Sequence, residues 1–109
     1  MNQFEEALRQ ILKVALSLNG KSAIEIVLAL VPLITGLNQF VNIVKGWERE
    51  VLIREVKTAL DNIVGDETDA LIGPSGQLVV LEVPYVGLEP LSDLVFSAIE
   101  AALLAQDSQ

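Results

Sequence analysis

The spacing of apolar residues predicts helices over most of this chain. Phe4, Leu8, Ile11, Ala15 and Leu18 recur at intervals of four and three, the period of one helix face, and Leu12 and Val14 widen the stripe. Asn2 with Glu5 three residues later has the pattern of a capping box. Glu5 and Arg9 are placed to pair one turn apart, and Asn19-Gly20 reads as a stop, so a helix is expected from Asn2 to Leu18. Ser22 with Glu25 opens a second helix by the same device. From Ile26 to Ile34 no position is polar, and Pro32 lies inside the run. A helix without a polar face is buried all round. In a small domain that means a central helix or one held between subunits. Pro32 lacks an N–H and strains the turn before it, so the helix is expected to kink or restart there.

Leu37 to Val44 continues as a helix with Phe40, Val41 and Val44 on one side. Asn38, Gln39 and Asn42 are either amides that set the register of a helix contact or solvent-facing groups. Trp47, Val51, Leu52, Val56, Leu60 and Ile63 line one face of a helix from Trp47 to Val64, which Gly65 ends. If Gly46 does not interrupt it, the two segments form one helix about 40 Å long, longer than a lone domain of this size and suited to a dimer. Gly73-Pro74-Ser75-Gly76 is a turn with proline in the second place. Ala70–Ile72 before it and Leu78–Val83 after it read as a short hairpin. A lone hairpin is marginal in water, so it lies on a helix face or extends across a subunit boundary. The last helix opens at Leu91 or Ser92 and runs to about Ala105, with residues 106–109 fraying. The reading is one mainly α domain over residues 1–109: a small bundle of four to five helices with one short β-hairpin, at about residues 70–83, before the last helix.

Composition sharpens the question of what covers these helices. The chain is 51 % apolar with its seven glycines left out of the count, above the roughly 45–50 % usual when glycine is included. Its mean hydropathy is +0.49. A domain of 109 residues buries only about two-thirds of the surface its unfolded chain exposes. A self-association interface is the first explanation of the excess. The interface is expected on the all-apolar segment and the residues just after it: Ile26, Val27, Leu30, Leu33, Ile34, Leu37, Phe40 and Trp47. Contact with a membrane and a cavity for a greasy ligand are the rivals. Residues 24–44 are long enough to span a bilayer, but Glu25, Asn38, Gln39 and Asn42 make insertion costly.

Charge and missing residue types narrow the chemistry. With no histidine and no cysteine, the commonest general base, the commonest zinc ligand and all thiol chemistry are absent. Neither an enzyme nor a bound cofactor is expected. All seven basic residues precede residue 58, and the nine acids after it give that half a charge of −9 within a net −8. Such a chain is a poor ligand for nucleic acid, although a decoy that mimics nucleic acid for a basic partner is a further reading. Asp61, Asp66, Glu67 and Asp69 are the only cation-site candidates. Their spacing does not fit a calcium loop, and a solvated loop is the expectation. Ser75 reads as a turn residue, and Trp47 as a core or interface anchor. The first residues, Met1 to Glu6, are acidic and no cleavage site comes after them, so a cytoplasmic location is expected. The reading is thus a non-enzymatic interaction and assembly protein, a homodimer or higher oligomer, with another protein as a further partner. Leu30→Glu is then expected to abolish assembly by placing an unpaired charge among aliphatic side chains. Light scattering coupled to gel filtration, against the 11.8 kDa chain mass, is the check.

Overall fold

In the computed structural model, which describes residues 3–107, the first amphipathic stripe forms α1 (Gln3–Ser17) with Leu8 and Ile11 fully buried. The Asn2 half of the expected capping box lies outside the described residues, as do residues 108 and 109. Gly20 ends the α1 turn at φ +90°, a left-handed backbone that favours glycine. Ser22 then caps α2 (Ala23–Gly36): its Oγ accepts the Glu25 N–H at 3.2 Å and donates to Glu25 Oε1 at 3.1 Å. The Ser22 half of the capping box read from the sequence is formed, and the Glu25 carboxylate bonds the Ser22 hydroxyl instead of its backbone N–H.

α2 runs through Pro32 without interruption, so of the kink or restart expected there the restart does not occur. The ring removes the N–H that would bond the Leu28 carbonyl. Pro32 and Leu28 both lie on the less buried side of the helix, where water can reach the orphaned group. The break comes instead at Leu37 (φ −89°, ψ 71°), and α3 (Asn38–Val44) leaves at 95° to α2. The chain turns again at Lys45–Glu48 before α4 (Arg49–Asp66). Gly46 therefore lies in an interruption, and the 40 Å helix does not form. Trp47 sits in this turn rather than in a helix. Its ring lies 5.4 Å from that of Phe4, which stacks on Phe40 at 5.3 Å. That aromatic contact holds the turn against α1.

After the one-turn α5 (Thr68–Leu71), the Gly73–Gly76 turn closes as expected. The Gly76 N–H donates to the Gly73 carbonyl at 3.0 Å and the Gly73 N–H to the Gln77 carbonyl at 2.9 Å. The arms differ from the expectation. Of the residues before the turn only Ile72 pairs, as a single bridge to Leu78. β1 (Gln77–Leu78) finds its antiparallel partner in β2 (Val83–Pro84). The expected strand from Leu78 to Val83 folds back on itself through Glu82 at φ 56°. Leu78 and Val80 are 0 % and 1 % exposed, so the reversal sends both into the helical core. Finally, α6 (Glu89–Asp107) begins earlier than expected, because Pro90 in a first turn has no N–H to leave unpaired. Ser92 is consequently a buried helix residue, not the opener.

The four long helices form a ring in the order α1, α2, α6, α4, each packed most extensively on its two neighbours, with α2 against α6 the largest contact. The bundle is mainly helical with its hairpin before the last helix, and α5 brings the helices among the described residues to six. Its exposed surface of 6127 Å² is close to the ~5,900 Å² expected of a compact monomer of this mass. Most apolar side chains are thus covered within one chain. Arg9 ties α1 to the end of α4: its Nη2 donates to Asp66 Oδ2 at 2.7 Å and to Glu5 Oε1 at 3.2 Å, and Nη1 lies 3.6 Å from Glu67 Oε1. The hydrogen bond to Asp66 does most to raise the guanidinium pKa, with Glu5 and Glu67 adding to it and burial opposing. Because the shift is upward, the guanidinium's part in this stabilisation is complete below the ordinary arginine pKa while the carboxylates are ionised, and is lost as pH rises through the raised value.

Leu30→Ala is expected to cost about 2–5 kcal/mol, as a deletion in a packed interior does, read from urea midpoints at unchanged slope. Gly20→Ala should cost about 1 kcal/mol through its left-handed backbone. Arg9→Ala should lower the melting temperature, with a smaller loss in about 1 M salt, where screening weakens the wild-type pairs.

Candidate interaction surface

Ser22 sets where α2 starts, and packing on α1 and α6 decides which side of the helix faces inward. Ile26, Leu30 and Ile34, at four-residue intervals, are 0–1 % exposed, and Phe40 on α3 is 2 % exposed. These four side chains, expected at an interface between subunits, are covered by the chain's own core and offer no surface to a second copy. The reason is geometric: α1 and α6 flank α2 and take its inward side. Val27, Leu33, Leu37 and Trp47, expected at the same interface, are half-buried and pack against that core. Asn38, Gln39 and Asn42 are at most partly covered and point away from the core, so they set no register inside a helix contact of this chain.

The opposite side of α2 carries what the core leaves over. Ile24 and Leu28, one turn apart, are 73 % and 66 % exposed. They border a groove of about 350 Å³ between the first half of α2, the hairpin and the start of α6. Val27, Leu81, Pro90 and Leu94 make its apolar walls, with Asp93 and Ser97 on the α6 lip. α6 continues that lip outward as Asp93, Ser97, Glu100, Leu104 and Asp107, at intervals of four and three and all exposed, so they share one helix face. Sequence reasoning did not single out Ile24 and Leu28. The signal was present: once Ile26, Leu30 and Ile34 are taken as the inward row, residues two positions away lie about half a turn off.

A larger cleft of about 500 Å³ lies where the start of α1 meets the α2–α3 joint, lined by Gln3, Glu6, Gln10, Asn38 and Gln39. Ala7, Leu37 and Phe40 also line it, so its walls are mixed rather than apolar throughout. The acidic candidates do not converge on a cation: Asp66 and Glu67 turn to Arg9, and among the described residues no three acids group in a metal-holding arrangement. The nine late acids are spread over several elements. Asp61 to Asp69 sit at the end of α4 and on α5, Glu82 is in the hairpin, and the rest lie along α6, where Glu89 is held by Lys57 at 3.2 Å. Among the described residues no single helix is long and apolar enough to cross a membrane.

Comparison with models of known protein families, with curated proteins and with solved structures finds no match to this chain.

The phase of α2 makes a sharp contrast between neighbouring turns. Leu30→Glu is expected to destroy the cooperative thermal transition, because it buries an unpaired charge. Leu28→Glu should shift stability by no more than about 0.5 kcal/mol, as exposed substitutions do.

Proposed function

We propose that the protein is a non-enzymatic interaction protein that acts by placing Ile24, Leu28 and the adjoining groove under another protein surface. The observation that carries this reading is the ridge itself. Two large aliphatic side chains, 73 % and 66 % exposed, stand one turn apart beside an apolar groove, on a chain that otherwise turns most of its apolar residues inward. Covering such side chains recovers about 1.5–3 kcal/mol each. Patches of this kind on soluble domains mark docking sites. The lack of histidine and cysteine supports a non-catalytic role.

Self-association through the same face is the second reading. Ridge and groove lie side by side, so a two-fold axis can seat each in the other, and about 800 Å² per copy makes a stable contact.

The double variant Ile24→Ser, Leu28→Ser is expected to melt within about 5 °C of the wild type. A much larger loss would show that these side chains serve the fold and would overturn the reading. Light scattering then separates the occupants. A mass of 11.8 kDa assigns the face to a different molecule. Twice that mass, reverting in the double variant, assigns it to a second copy. A dimer that persists in the double variant places assembly elsewhere.

A further inference from the structure

Resting on that reading, we propose that the trough between α2 and α6 is a docking site for a cationic amphipathic helix of another protein. Shape comes first. Two neighbouring helices leave a furrow between them into which a third packs by its own side-chain ridges, the usual seat of a helix in a groove. The α2 wall is apolar, with Ile24 and Leu28 standing above a groove of about 350 Å³. The α6 lip runs from Asp93 to Asp107, about 21 Å at 1.5 Å per residue, so a partner helix can lie along it for four turns. Leu104, 67 % exposed, gives the far end a second apolar foothold.

Charge selects the occupant. The charged residues on the outward row of α6 are Asp93, Glu100 and Asp107, and none of them has an ion-pair partner among the described residues. No basic residue lies beyond position 57; Arg49 and Lys57 share a hollow with Asp93, but Lys57 is held by Glu89 at 3.2 Å and Arg49 lies over the Phe96 ring at 5.3 Å, and neither pairs with Asp93. A second copy would set this acidic row against another of the same sign, which costs binding. A helix with an apolar stripe flanked by lysine or arginine satisfies both walls: its stripe covers Ile24, Leu28 and the groove, and its charges meet the three carboxylates. Attraction of this kind weakens as salt rises.

The test uses the full chain and three synthetic peptides of about five helical turns. They share a leucine stripe and carry lysine, glutamine or glutamate elsewhere. Binding is followed by fluorescence anisotropy at increasing salt. The lysine peptide should bind and the glutamate peptide should not. Affinity for the lysine peptide should fall about tenfold or more in Leu28→Ser and in the double variant Asp93→Lys, Glu100→Lys. Circular dichroism establishes that each variant is folded. Glutamine and lysine peptides binding equally, with the Leu28 dependence kept, would overturn the cationic class and leave the docking surface standing. Equal binding of the lysine peptide to all variants would overturn the site. A dimer that dissociates in Leu28→Ser, with no peptide bound, would replace the cationic helix by a second copy. A monomer that binds no peptide would remove both the inference and the reading beneath it.

Discussion

A helix with almost no polar side chain, set into a domain too small to surround it, is the constraint on which the other elements depend. α2 has apolar residues on every side from Ile26 to Ile34, and burial of each large aliphatic side chain contributes about 1.5–3 kcal/mol. Two long helices cover it: α1 runs back along one flank, and α6 makes the largest contact on the other. α4 closes the ring against α1 and α6. Two neighbours cover roughly the inward half of a helix, so the outward row of Ile24 and Leu28 is left over. The hydrophobic drive that builds the core therefore also creates the exposed ridge.

The polar contacts direct this drive without supplying it. Ser22 and Glu25 fix the first turn of α2, while α1 and α6 take the Ile26 side and leave the Ile24 side outward. Arg9 gathers Glu5, Asp66 and Glu67 and so joins the start of α1 to the end of α4, two elements far apart in sequence. Pro32 shows the same ordering of effects. Its ring costs a backbone hydrogen bond, yet the helix continues, because Leu28 and Pro32 lie on its exposed side and the buried row on the other side outweighs the loss.

Charge gives this leftover surface its character. Of the acids beyond residue 57, Asp66 and Glu67 near the end of α4 are engaged with Arg9, Glu89 with Lys57, and Asp93, Glu100 and Asp107 form a row along the outside of α6. That row starts at Asp93 on the lip of the apolar groove, so that a greasy surface is bordered along α6 by negative charge. An apolar surface bordered by one sign of charge discriminates among partners more sharply than either property alone, since a like-charged competitor is repelled even when its shape fits.

Much of the fold was legible in the sequence. The 3.6-residue spacing marked α1 and α4, Ser22 and Glu25 marked the start of α2, and Gly73-Pro74-Ser75-Gly76 marked the turn beside the hairpin. These features are local: each depends on side chains within a few residues of one another, and the period of an element is the same in any context. The reach of α2 past Pro32, the pairing of β1 with β2 and the destination of the all-apolar segment were decided elsewhere. The sequence established that α2 needs cover on most sides, but cover by a second chain and cover by α1 and α6 leave the same local pattern. Only the tertiary packing chose between them. It turned Ile26, Leu30 and Ile34 into core and left Ile24 and Leu28 as surface, because which side of an apolar helix is buried depends on neighbours that lie tens of residues away in the chain.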